Sequence, residues 1–141
     1  MSEMQVTFVP NEYAFSVWPM VRAQLAASAE YTHGRFDPED ILELLVDGAQ
    51  HLWVAHEGRD VLGAVTTNFV AYPRKRVLCM HFCGGVDLKN WKDLMLTTLR
   101  TWAQENGCDA IECSGRPGWA KIFAHDGHTP LWNTFELPLH E

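Results

Sequence analysis

The sequence predicts a mixed α/β (α+β) fold: a central mixed, mostly antiparallel sheet of about six strands with helices on both faces. Three observations carry this. Strand-like runs at residues 52–55, 61–70 and 78–83 follow one another across turns too short to hold a helix, which makes an antiparallel meander. Apolar residues recur at helical spacing twice before the meander and once after it. Finally, the meander's last strand passes through Cys83, Gly84 and Gly85 straight into an amphipathic helix, a junction on which many α/β folds seat an anionic ligand.

In chain order, residues 5–9 alternate and stop at Pro10, a short first strand. From Ser16, the residues Trp18, Val21, Leu25 and Ala29 mark a helix that tolerates Pro19 by holding it in the first turn. Asp37, Pro38, Glu39 and Asp40 then read as an N-cap, a proline at N1 and acidic groups matched to the helix dipole. That second helix runs through Ile41, Leu42, Leu44 and Leu45 and closes at Gly48. After the meander, Leu88, Trp91, Met95, Leu99 and Trp102 form the stripe of a third helix, with Asp87 as N-cap and Gly107 at C′. Residues 109–113 make a fifth strand, Pro117 opens a short helix ending at Gly127, and residues 131–137 make a last strand. The order is β-α-α-β-β-β-α-β-α-β, a single domain over residues 1–141 without repeat or linker.

Composition narrows the function classes. At 141 residues and 47% hydrophobic, the chain can bury a full core. No run is long enough to span a membrane, and the first residues lack the basic start and apolar middle of a secretory signal, so a cytoplasmic location is expected. The net charge of -7 is spread along the chain and disfavours nucleic acid and anionic lipid as partners. The basic run at Arg74, Lys75 and Arg76 falls where a hairpin turn is expected.

The four cysteines, Cys79, Cys83, Cys108 and Cys113, lack zinc-knuckle spacing. Strand alternation would put Cys79, His81 and Cys83 on one face, where parallel side chains converge poorly on a metal, so no metal site is expected. His125 and His128 sit where a helix C-terminus favours positive charge. Arg116 and Trp119, in the loop after the fifth strand, are residue types that anchor interfaces and are the expected interaction residues.

The element order, with the segments Trp102-Ala-Gln-Glu-Asn-Gly-Cys-Asp-Ala-Ile-Glu112 and Ala120-Lys-Ile-Phe-Ala-His-Asp-Gly-His128, resembles the GNAT superfamily of N-acetyltransferases. The Tyr72-Pro-Arg-Lys-Arg76 turn, Gly107-Cys-Asp109 and Gly115-Arg-Pro-Gly-Trp119 are similar to GNAT-like proteins of bacteriophages and prophages. In active members, the resemblance implies an Arg/Gln-x-x-Gly-x-Gly/Ala loop whose amides hold the acetyl-CoA pyrophosphate at a helix N-terminus. Registered on Trp102 and Ala103, that motif falls on Asp87 to Lys92, where no glycine stands and Asp87 replaces the leading basic residue. A tyrosine that protonates the leaving thiolate in many members falls on Phe123, which has no such proton.

The resemblance therefore implies a non-catalytic GNAT-fold protein of phage or prophage origin, virion-associated or protein-binding, with no cofactor and with a protein partner or a second copy of itself. It would reside in a host cytoplasm or in a virion. The alternative is an N-acyltransferase using acetyl-CoA, with His81 and Glu112 as catalytic candidates and Gly84, Gly85 and Lys89 as an atypical cofactor loop. A further alternative is a small inhibitor of a host protein.

Overall fold

The computed structural model describes residues 3–115 and 120–140. The chain runs β1 (Met4–Val9), a 3-10 turn (Asn11–Tyr13), α1 (Ala14–Ala29), α2 (Pro38–Val46), β2 (His51–Glu57), β3 (Asp60–Tyr72), β4 (Lys75–Gly85), α3 (Leu88–Glu105), β5 (Ala110–Cys113) and α4 (Ala120–His125). The described strands form one sheet in the order β1-β2-β3-β4-β5. Pairing is antiparallel from β1 to β4, and β5 joins β4 in parallel through the crossover helix α3. The predicted mixed sheet with helices on both faces is what the chain adopts.

Each strand's alternation feeds two cores. Leu52, Val54, Ala64 and Phe82 turn toward α1 and α2, where they meet Trp18, Val21, Leu25, Ile41 and Leu45. Trp53, Ala55, Val65 and Leu78 turn the other way onto Trp91, Met95, Leu99 and Ala103 of α3. The α3 stripe read from the sequence is therefore the buried one, with Gly107 at φ +72 closing the helix.

One helix start differs from the sequence reading and another matches it. The 3-10 turn lets α1 begin at Ala14, so Pro19 lies inside the helix rather than in its first turn. It removes one donor from the ladder on the solvent side, where Phe15 is exposed. At α2 the expected cap is present: the Asp40 carboxylate accepts the Asp37 backbone N–H at 2.8 Å. Arg22 of α1 then ties to Glu39 of α2 at 2.7 Å.

The predicted last strand does not form. Residues 131–137 carry no regular structure, and Leu131, Trp132, Phe135 and Leu137 are all exposed. Alternation supplies a strand's propensity but not its hydrogen-bonding neighbour, and a strand without a ladder is only extended chain. The sheet of this chain thus has five described strands, and β5 is its edge.

Candidate functional site

The site to test is the gap beyond the last β4–β5 pair. The two strands are in register from Val77 and Ala110 to Met80 and Cys113, after which β4 continues to Gly85 paired with β3 alone. At the parting point β4 carries a β-bulge: Thr67 opposes Met80 and Thr66 opposes Phe82, leaving His81 as the extra residue.

The bulge overturns the alternation expected for Cys79, His81 and Cys83. Cys79 opposes Asn68, while Cys83 opposes Val65 on the α3 side and packs against that core. His81 stacks on Phe82 at 4.1 Å and meets Phe36 edge-on at 5.4 Å, on the α1–α2 side. An extra residue of this kind is invisible to a period-two reading, which is why the sequence pattern put all three on one face.

The imidazole of His81 is engaged at one of its two nitrogens. Its Nδ1 hydrogen-bonds the side-chain amide of buried Gln50. Burial lowers its pKa below the ordinary value, keeping it neutral. Glu112 pairs in register with Cys79 on the adjacent strand; its carboxylate accepts from the Tyr72 hydroxyl at 3.5 Å. The two catalytic candidates stand on adjacent strands and share no hydrogen bond.

The backbone donors of the bulge are also committed. Phe82 N–H donates to Thr66 Oγ1 at 3.1 Å, and Cys83 N–H donates to Ser28 Oγ of α1 at 3.4 Å. Burial, followed by the neighbouring Cys113, pushes the Cys83 thiol up to about 12. Cys113 is likewise pushed up to about 12, by burial first and then by Cys79, Glu112 and Asp126. Both thiols stay protonated, and among the described residues no group of cysteine, histidine and carboxylate side chains is arranged to hold a metal.

The junction itself is short and filled. Only Val86 and Asp87 separate β4 from α3, so the stretch registered on the pyrophosphate loop is mostly the first turn of a helix. Val86 N–H donates to Leu62 of β3 at 2.8 Å, and the Val86 carbonyl accepts the Trp91 indole N–H at 2.8 Å. Asp87 takes the N-cap position as expected but in the left-handed region, φ 53, with no hydrogen bond from its side chain. What closes the turn is its carbonyl, accepting from Asn90 N–H at 2.8 Å.

The glycines have packing reasons. A side chain on Gly84 would run into the Gln24 carbonyl of α1, and one on Gly85 into Leu62 and Gly63 of β3. Gly63 in turn accommodates the buried Trp91 ring. Lys89 is exposed on the first turn of α3. The sequence reading missed Lys92, whose Nζ meets Asp126 Oδ1 at 2.7 Å with the carboxylate side chain only 10% exposed. This pair bridges the second turn of α3 to the residue after α4, and Asp126 also acts on Cys113 at the end of β5. An i,j pairing 34 residues apart leaves no trace in local sequence spacing.

Phe123 lies in α4, and Arg116 and Trp119 lie outside the described residues. His125 takes the last turn of α4, as expected for a basic residue there. Two surface hollows, of about 380 and about 290 Å³, lie away from the junction. The first is lined by Trp53, Trp102 and polar residues of α3, the second by the end of α1 and the start of α2; no residue of β4 or β5 lines either.

No protein-family model matches the sequence, and no curated protein is similar enough to count as a relative. Solved structures do match. A ribosomal-protein-alanine N-acetyltransferase from Brucella melitensis biovar Abortus 2308 superposes with a TM-score of 0.74 at 15% identity, covering 98% of this chain and 100% of that one. An aminoglycoside acetyltransferase from an uncultured soil metagenomic sample, in complex with trehalose, gives 0.70 at 13% identity with 97% of each chain covered. An aminoglycoside N-acetyltransferase in complex with CoA gives 0.69 at 12% identity, over 98% of this chain and 95% of that one. At such identities the likeness establishes a GNAT-like fold.

Proposed function

We propose that this chain keeps the N-acetyltransferase scaffold without acyl-CoA chemistry and acts as a protein-binding component. The observation that carries the reading is the β4–α3 junction. A pyrophosphate needs free amides and positive potential at a helix start. Here the Val86 amide is spent on Leu62, a Trp91 indole holds the Val86 carbonyl, and the acidic Asp87 stands at the first position. The Lys92–Asp126 bridge sets a largely buried carboxylate near Cys113 at the end of β5. Fold alone does not imply activity, and these groups disfavour a pyrophosphate at the helix start.

Within this reading Arg116 and Trp119 are the side chains we assign to partner contact, by residue type and loop position. A phage, virion or host-inhibitor setting would specify the partner, and the residues of the fold favour none of the three. Titration with acetyl-CoA by calorimetry tests the reading: no heat of binding is expected at millimolar ligand. Micromolar affinity accompanied by acetyl transfer to an amine would refute it.

One observation favours N-acyl transfer from acetyl-CoA instead. Beyond Met80 and Cys113, β4 runs on through the His81 bulge without β5 beside it, the stretch against which a thioester would have to lie. In that reaction His81 or a water it orients would take the proton of an amine attacking the thioester carbonyl, with the thiolate of CoA leaving. Thr66 and Ser28 would first have to release the Phe82 and Cys83 amides. His81→Ala discriminates: an enzyme of this design would lose acetyl transfer, whereas the scaffold reading expects no transfer to lose. Substituting Gly84 or Gly85 would not discriminate, because both are needed for packing.

A further inference from the structure

We propose that Thr7, His56 and the Gly58 carbonyl form a reactive centre, in which the Thr7 hydroxyl is a nucleophile that takes the acyl group of small esters. The inference goes beyond protein binding and holds whether or not the chain binds a cofactor.

The three groups meet at the end of the sheet remote from β5. Thr7 pairs with Val54 and Gln5 with His56, so Thr7 and His56 are diagonal neighbours on one face of the β1–β2 pair. Between Ala55 and His56 the β2–β3 register slips, with Ala55 opposing Gly63 and His56 opposing Val61. Leu62 is left as an extra residue, a bulge of the kind that re-aims a side chain. Just beyond, Gly58 turns the chain at φ 56 and sets its carbonyl 2.8 Å from His56 Nδ1. Across the ring, Nε2 lies 2.7 Å from Thr7 Oγ1.

These contacts fix the protons. A carbonyl only accepts, so Nδ1 carries the hydrogen and the neutral ring presents the lone pair of Nε2 to the threonine. The Thr7 hydroxyl is then the donor. A hydroxyl held on a histidine nitrogen, with the far nitrogen oriented by a third group, is the arrangement that activates an alcohol for attack. Both distances lie in the range that proton transfer needs.

Access and charge stabilisation come from the same edge. Thr7 is exposed and His56 partly so, which leaves the hydroxyl open to a solute. β1 ends the sheet, and among the described residues nothing bonds its outer side. Alternate amides of an edge strand point outward, so a free N–H stands at Thr7 or at Phe8 next to it, a donor for the oxyanion formed on the attacked carbon. Neither of the two surface hollows includes these residues, so nothing here selects a large substrate and the fitting class is an unhindered short-chain acyl ester.

In the reaction the Thr7 oxygen bonds the acyl carbon while its proton passes to Nε2. The ester C–O bond breaks, and the leaving alkoxide takes that proton to depart as an alcohol. Water, deprotonated by the same nitrogen, then cleaves the Thr7 ester to a carboxylic acid and restores the hydroxyl.

A fluorophosphonate probe tests the centre on the full chain, because it phosphonylates an activated hydroxyl with loss of fluoride and leaves a stable adduct. The expected result is one adduct, mapped to Thr7 by mass spectrometry of the peptide ending at Arg22. Release of p-nitrophenol from p-nitrophenyl acetate should also exceed that of the unfolded chain. Thr7→Val should abolish both signals and Thr7→Ser should retain them, while His56→Gln should slow both by about 100-fold or more. Thermal melting checks that each variant folds, and the contrast of Thr7→Val with Thr7→Ser decides even where His56→Gln does not. No adduct on the native chain would overturn the proposal. So would an adduct on another residue, equal labelling of Thr7→Val, or a rate that His56→Gln leaves unmoved in a folded protein.

Discussion

Single residues at the β4–α3 junction show how one pair of glycines can be read in two ways. Gly84 and Gly85 look like a phosphate cradle in sequence, because a ligand and a neighbouring backbone both ask for the absence of a side chain. The fold supplies the neighbour: added on Gly84, a Cβ would lie 2.8 Å from the carbonyl carbon of Gln24. Gly84→Ala is expected to destabilise the protein by about 1–3 kcal/mol, the usual cost of overpacking, as measured by urea unfolding. A neutral result would return the glycines to the ligand reading. Histidines carry the second expectation at this scale. Burial lowers the pKa of both His51 and His81 below the ordinary 6.5. The unfolded chain therefore takes up protons near 6.5 that the folded chain refuses, so stability is complete above that value and falls as pH drops below it. His81→Gln should flatten part of that decline in urea midpoints between about pH 7 and about pH 5, and His51→Gln another part. An unchanged slope in both would mean that neither imidazole is held neutral by the fold.

Elements were legible in the sequence wherever the signal was local and self-contained. The α2 cap at Asp37 to Asp40, the α3 stripe and the hairpin turns needed no tertiary information, and each stands where its residues place it. Elements that depend on a neighbour were not legible. Residues 131–137 have the pattern of a strand and no strand beside them, and the bulge at His81 exists only in relation to β3. The start of α1 falls between these cases. Reading from Ser16 made Pro19 harmless, but the helix begins at Ala14 and carries the proline at its sixth position. There its ring stands in for the N–H that would meet the Phe15 carbonyl, on an exposed face where Trp18 and Val21 do the packing. Pro19→Ala is thus expected to stabilise the protein by roughly 1–3 kcal/mol, seen as a higher melting temperature. Destabilisation instead would show that the proline shapes the approach of the preceding 3-10 turn.

At the scale of the whole molecule, the sheet is a shared wall between two cores that touch different helices. Leu25 belongs to the α1–α2 side and Leu78 to the α3 side, and each is fully buried. The two sides could melt separately if each helix layer were held only by its own contacts. The strands argue otherwise, since neighbours such as Val54 and Ala55, or Ala64 and Val65, send consecutive side chains to opposite cores. Loss of either helix layer uncovers one face of every such strand, and backbone pairing that serves both faces loses its support. Leu25→Ala and Leu78→Ala should therefore each cost about 2–5 kcal/mol. In both variants tryptophan fluorescence should report the same transition as far-ultraviolet circular dichroism. Fluorescence is weighted to the α3 side, where Trp53, Trp91 and Trp102 cluster, while Trp18 alone among the buried indoles reports on α1. If Leu25→Ala produced a dichroism loss preceding the fluorescence change, the faces would be separate folding units. Coincident curves in both variants would mean that the five-stranded sheet enforces one cooperative transition, as its alternating register requires.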